Sequence, residues 1–275
     1  MRHRNLWLLA GGIILLGAGA FALAQFLPEE TAEQAKWEEF LATAKIVAEE
    51  QMTGAESVTN PWRLTLEKDG VRHIALWKNI SGRPKGYIDS WKYEVAAYRL
   101  DKLLGLNMIP PTVERSYNGP GSLQLWVESW MTLKKKMDDK VKIPSYKIFY
   151  WNRALYLQRF FDNLIANEDR HQNNYLITKD WRMYLIDHSR SFRTYGDFLK
   201  KLLYTDKRRD GPMEMQEIPR ALVDKIKTLN FEAIRQAVGD YLTDDEINGM
   251  LTRRDLILKE LDRICKKNGE ANVLY

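Results

Sequence analysis

The longest apolar stretch of the chain lies near its N-terminus. Leu6 to Leu27 carries no charged residue, follows Arg2 and Arg4, and contains Ala22-Leu23-Ala24 before the chain turns acidic at Glu29, Glu30 and Glu33. A basic flank, an apolar run and small residues at alternate positions form the pattern of a secretory signal peptide, here residues 1–24. Leu6 to Ala24 is also long enough to cross a bilayer as an anchor helix. Under both outcomes the basic end stays inside. The rest of the chain is therefore expected outside the cytoplasm: periplasmic, secreted, or held at the membrane through residues 6–27.

The periodicity then changes several times. Residues 25–43 read as a polar helical lead-in, with Trp37, Phe40 and Leu41 as its apolar face. From Ala44 to Gln51 the pattern is short and ambiguous between helix and strand. After a turn-forming stretch, Thr53 to Ser57, the segment Trp62 to Leu66 alternates like a strand. Asp69-Gly70 is a hairpin turn and Val71 to Trp77 the return strand. Asn79 to Asp89 is a loop. From Ser90 to Leu104 the apolar residues recur at helical spacing, with Gly105 at the C-cap position. Pro110-Pro111 forces an extended segment, Thr112 to Arg115, and Asn118 to Gly121 turns the chain into a strand, Ser122 to Val127. Beyond Met131 the pattern is mostly helical: Ile148 to Ala166, Ile218 to Val238 and Thr243 to Lys267, with one short hairpin between. A β-rich first half and an α-rich second half predict an α+β fold of two lobes, residues 44–130 and 131–275.

Composition narrows the class. With 45% hydrophobic residues and nine Trp, the chain has too much apolar material to be disordered. The lone Cys265 excludes an internal disulfide framework and a cysteine metal cage. The net charge of +5 is not gathered into a basic stripe, which argues against a nucleic-acid partner. Trp126, Trp130 and Trp151 read as core or cleft wall rather than as a binding cage.

The densest polar segment is Asp169-Arg170-His171-Gln172-Asn173-Asn174, at the end of an apolar helix. A tight turn at Lys179-Asp180 pairs residues whose numbers sum to about 360, which sets Asn174 nearly opposite Asp187. Asp169 lies at the mouth of the same hairpin. Hard oxygen ligands such as Asn174 and Asp187 suit Mg²⁺ or Mn²⁺, and leave Asp169 to orient or deprotonate an incoming hydroxyl. Phosphoryl transfer also needs a cation on the donor phosphates. Lys78 at a strand end, with Glu94 in the first turn of the next helix, supplies that pair. Gly54 and Ser57, in the turn before, can fold over phosphates through backbone N–H groups. The plainer alternatives are a solvated lysine, a helix-start glutamate, turn-forming Asp169 and Asn174, and an Asp169–Arg170 ion pair.

Asp169 to Asn174, followed by Leu185-Ile186-Asp187-His188-Ser189-Arg190-Ser191-Phe192, resembles the catalytic and metal-binding loops of the phosphatidylinositol 3-/4-kinase group, and equally those of the secreted Golgi casein kinase family. Glu94 to Leu104, running on to Pro110-Pro111-Thr112-Val113, and Phe161 to Asn167 are similar to the Golgi family. The likeness spans roughly Ala44 to Phe192. It implies a two-lobed protein-kinase-like fold in which Asp169 is the catalytic carboxylate and Asn174 and Asp187 bind Mg²⁺ or Mn²⁺. Lys78 would touch the phosphates of ATP, Glu94 would position Lys78, and His171 would support the loop. The acceptor would be a hydroxyl on a protein, a sugar or an inositol lipid. Two departures stand out. Asp187 is followed by His188-Ser189 where ordinary protein kinases have Phe-Gly. The Golgi family can lack an Asn at the Asn174 position, so this feature leans toward the lipid kinases. Two further readings stay open: a kinase-like module that binds nucleotide or a partner without turnover, and a hydrolase whose metal is held by His171, His188, Asp169 and Asp187.

Overall fold

The computed structural model describes residues 26–53, 60–83, 86–208 and 211–275. Gly54 and Ser57 lie outside the described residues, as does the N-terminal run up to Ala24. The lead-in is two helices rather than one, α1 (Pro28–Ala32) and α2 (Gln34–Thr43), divided at Glu33. Three strands follow: β1 (Lys45–Gln51), β2 (Trp62–Lys68) and β3 (Val71–Lys78). Asp69 and Gly70 both take positive φ, 51° and 77°, the conformation a two-residue hairpin turn requires. The predicted loop after Lys78 contains a small antiparallel pair, β4 (Ser81–Gly82) and β5 (Asp89–Ser90). Then come α3 (Trp91–Leu104), β6 (Thr112–Glu114) and β7 (Ser122–Leu125).

The main sheet is antiparallel throughout, in the order β1-β2-β3-β7-β6. Leu64, Leu66, Ala75, Trp77, Leu123 and Leu125 form one core with Phe40, Leu41 and Ala44, which α2 brings onto the sheet. A Cβ on Gly121 would lie 2.6 Å from the Lys78 carbonyl oxygen and from Nε1 of Trp77. Only glycine lets β7 start this close to the end of β3.

The second half is helical around a larger core. It contains β8 (Met131–Thr132), α4 (Leu133–Asp138), α5 (Ile148–Ile165), the hairpin β9 (Tyr175–Ile177) and β10 (Met183–Leu185), then α6 (Arg220–Thr228), α7 (Phe231–Val238), α8 (Asp244–Asn268) and α9 (Glu270–Val273). The helix expected over Ile218–Val238 breaks at Leu229-Asn230, because the Asn230 side chain accepts the Ala233 N–H (2.9 Å) and starts a new helix. β8 adds to the hairpin in the order β10-β9-β8. α3 touches β6 and β7 of the sheet, but its buried residues Ala96, Ala97, Leu100 and Leu104 join the larger cluster with Phe160, Phe161 and Leu164 of α5. Gly105, at φ 74°, ends α3 as predicted, its N–H reaching the Asp101 and Lys102 carbonyls. The fold is mixed α and β, a five-stranded antiparallel sheet beside a helical remainder.

Candidate functional site

Lys78 is the last residue of β3, and Glu94 lies in the first turn of α3, whose start is fixed by the Ser90 cap. The Lys78 ammonium donates to Glu94 Oε1 at 2.7 Å and to Asp187 Oδ1 at 2.8 Å. Three elements thus meet on one nitrogen, across separations of 16 and 109 residues. The Lys78 side chain is only 11% exposed. Burial would lower its pKa, but the charges of Asp187 and Glu94 outweigh burial and hold it above its usual value. Glu94 is the mirror case. Burial would raise its carboxyl, yet Lys78 and His188 hold it well below the ordinary range. Its second oxygen accepts the His188 N–H at 2.9 Å.

The hairpin has the register expected from its turn. Leu185 pairs with Tyr175, Tyr184 with Leu176 and Met183 with Ile177, each pair summing to 360. The Ile186 N–H extends the ladder to the Asn174 carbonyl (3.1 Å), so Asn174 and Asp187 flank the hairpin's base. Asp187 takes φ 60°, a left-handed conformation that is costly for a residue with a Cβ. Its carboxylate, bonded to Lys78 through Oδ1, is 34% exposed. Asn174 is buried, and its amide Nδ2 donates to the Asp169 carbonyl at 3.0 Å. That bond leaves Oδ1 as its ligating atom. Asp169 is 38% exposed and lies 3.2 Å from an Arg190 nitrogen. Burial raises its carboxyl pKa; Arg190 opposes the rise, and the nearby charge of Asp187 adds to it. His171 accepts the Asn173 N–H on Nδ1 (3.3 Å), a turn-capping contact.

Sequence reasoning missed the residues that hold this loop. Arg170 pairs not with Asp169 but with Asp162 of α5, through Nε (2.9 Å) and Nη2 (3.1 Å), and both side chains are fully buried. Its Nη1 donates to the carbonyls of Asn174 (3.0 Å) and Ile186 (2.6 Å), clamping the two sides of the hairpin base. The available signal was Asp162 itself, an acid following Phe160-Phe161 and preceding Leu164-Ile165. Asp89, also unassigned, accepts Ser189 Oγ (2.7 Å) and Arg190 Nε (3.0 Å), tying β5 to the segment after Asp187.

His188 is buried beside Arg170, 2.7 Å from Nη2 to Nε2. Arg170 is a permanent donor, so Nε2 accepts and the ring proton sits on Nδ1, 3.7 Å from Glu94 Oε2. Burial and the Arg170 charge both lower its pKa. Neither ring nitrogen keeps a lone pair for a metal, which removes His188 from the hydrolase site considered from sequence. Among the described residues, the group of three His, Cys, Asp or Glu with ligand atoms close enough to share an ion is Asp206, Glu214 and Glu260. Arg263 already forms ion pairs with all three.

Beside the Asp169 loop lies a cavity of about 600 Å³, lined by Arg159, His171, Asn173, Tyr175 and Tyr204 among others. Chemically, the site offers a held ammonium, a carboxylate and a carboxamide at one hairpin base, and a second carboxylate at its mouth. No family model matches the chain, and no curated protein matches it.

Proposed function

We propose that the chain is an exported, kinase-like phosphotransferase that moves the terminal phosphate of a nucleotide, ATP, to a hydroxyl acceptor on a protein, sugar or lipid. One observation carries the reading: Lys78 is bonded at once to a helix carboxylate, Glu94, and to the hairpin carboxylate, Asp187. A buried lysine held this way is fixed in charge and place, which suits it to donor phosphates. Residues 44–130 and 131–275 are the two lobes in this reading.

Asn174 Oδ1 and the Asp187 carboxylate are the oxygen donors that would hold Mg²⁺ or Mn²⁺, hard cations that prefer such ligands. When bound, the ion shields the charge of the transferring phosphate. Asp169 accepts the acceptor's proton; its raised pKa and its exposure of 38% suit a base that must meet an incoming hydroxyl. Glu94 positions Lys78, and Arg170 holds the backbone on both sides of the hairpin base. Catalysis here is positioning and charge stabilisation.

A second reading, a binding module without turnover, is favoured by the Arg190–Asp169 pair at 3.2 Å, which already occupies the expected base. Terminally labelled ATP with Mg²⁺ or Mn²⁺, offered to casein, free sugars and phosphatidylinositol vesicles, separates the two. Transfer to one acceptor that falls about a hundredfold or more in Asp169→Asn supports the enzyme. Nucleotide binding with no transfer to any acceptor supports the module.

A further inference from the structure

Between the lead-in helices, residues 125–130 and the turn of the β9–β10 hairpin lies a second cavity, of about 590 Å³. This size is in the range of small-molecule sites. Its aromatic lining is Phe26, Trp37, Trp126, Trp130 and Tyr184. Trp126 and Trp130 are 37% and 42% exposed, large apolar surface that the fold itself does not cover.

The charges around these rings are unbalanced. Four carboxylates line the cavity, Glu29, Glu30, Glu33 and Glu128, against the cations Lys179 and Arg182. Glu30 is paired with Arg182 at 2.5 Å and Glu33 with Lys36 at 2.7 Å. Glu29 and Glu128 have no cationic partner among the described residues. Trp126 already receives one cation, the Arg63 guanidinium 5.6 Å from its ring centre. Indole faces together with unneutralised carboxylates select a soft, poorly hydrated organic cation.

We propose that this cavity binds an alkylammonium group, with Trp126 and Trp130 supplying the cation–π faces and Glu29 and Glu128 the countercharge. The cavity's place on the chain suggests where such a ligand comes from. Phe26, stacked on Tyr184 with ring centres 4.3 Å apart, belongs to the uncharged run Leu6–Leu27. An anchor in that run would set the cavity at the height of lipid headgroups. The ligand is therefore either a free organic cation or a choline or ethanolamine headgroup.

Calorimetric titration of the full chain in a non-ionic detergent tests this, using choline, ethanolamine and tetramethylammonium chlorides against sodium chloride at equal ionic strength. The expected result is saturable one-to-one binding that sodium chloride does not reproduce, weakened about fivefold by Trp130→Ala and again by Glu128→Gln. Both side chains are exposed, and an unchanged circular dichroism spectrum checks that each variant folds. A second arm compares dihexanoyl phosphatidylcholine with dihexanoyl phosphatidylglycerol. Tighter binding of the choline lipid than of free choline, with none of the glycerol lipid, identifies a headgroup site; equal binding of the choline lipid and free choline identifies a free-cation site. No saturable binding of any ammonium, or binding that survives both substitutions together, overturns the proposal.

Discussion

Two ion pairs grip the same hairpin, and they are built to opposite plans. Arg170 and Asp162 are sealed from water, and the carboxylate's remaining capacity is taken by Gln158 and Asn167. Arg170 gives Nη1 to two backbone carbonyls, and Nη2 reaches His188 as well as Asp162. Lys78 and Asp187 are left partly open. Asp187 keeps a third of its surface in water, and Lys78 is shared between two carboxylates rather than matched to one. A buried charge pair is tolerated only when every donor and acceptor is satisfied, as at Arg170. A pair with one partly exposed partner and a shared cation is free to exchange one partner for a ligand. The closed pair fixes where the loop is, and in the proposed function the open pair is the part that meets a ligand.

The largest expected effect breaks the closed pair. Arg170→Met strands Asp162 in the core and should lower unfolding free energy by about 3–5 kcal/mol, read by denaturant titration. Asp187→Ala should do the reverse. On the proposed function, phosphate transfer should fall by roughly a hundredfold or more, while stability should move by less than about 1 kcal/mol. Equal stability losses in the two variants would erase the distinction between the pairs.

Asp101 sharpens the comparison, because it is a buried carboxylate with no cation among the described residues. Burial pushes its pKa up to about 7, opposed by the Met108 and Ile109 N–H groups that donate to it. The folded state therefore holds this proton to higher pH than the unfolded chain, whose carboxyl titrates near its ordinary value. Its stabilisation is full at the acid end and declines as pH rises from about 4 through 7. Stability curves of the wild type should fall over that window relative to Asp101→Asn; parallel curves would contradict this assignment. The smallest effect belongs to the exposed Lys36–Glu33 pair, where Lys36→Ala should change stability by no more than about 0.5 kcal/mol.

The hairpin was legible because its information is local. Lys179-Asp180 marks the turn, and a turn fixes register, so Asn174 and Asp187 could be placed together from numbering alone. Gly105 and the Asp69-Gly70 turn were legible for the same reason: each requires a backbone conformation that glycine adopts without strain. β1 was not, because this edge strand leaves most side chains in water and so shows no alternation. Nor were the clamps. Arg170 meets Asp162 from the preceding helix, and Arg190 bridges Asp89, about a hundred residues earlier in the chain, and Asp169, about twenty earlier. Pairing over such distances leaves no spacing to read, and adjacency wrongly suggested Asp169 as the partner of Arg170. The exposed Trp126 and Trp130 illustrate the same limit, since tryptophan in a sequence reads as core until the packing around it is known.

The most direct test of the open pair is the unfolding temperature of the full chain, measured with ATP and Mg²⁺ or Mn²⁺, with each alone, and in Asp187→Ala. A ligand that binds only the folded state at about a hundred times its Kd stabilises by about 2.7 kcal/mol, a readily measured shift. The expected result is a rise that needs both nucleotide and metal and vanishes in Asp187→Ala. An unchanged temperature in every mixture, or a rise that Asp187→Ala leaves intact, would contradict the assignment of Lys78 and Asp187 to a phosphate-binding site.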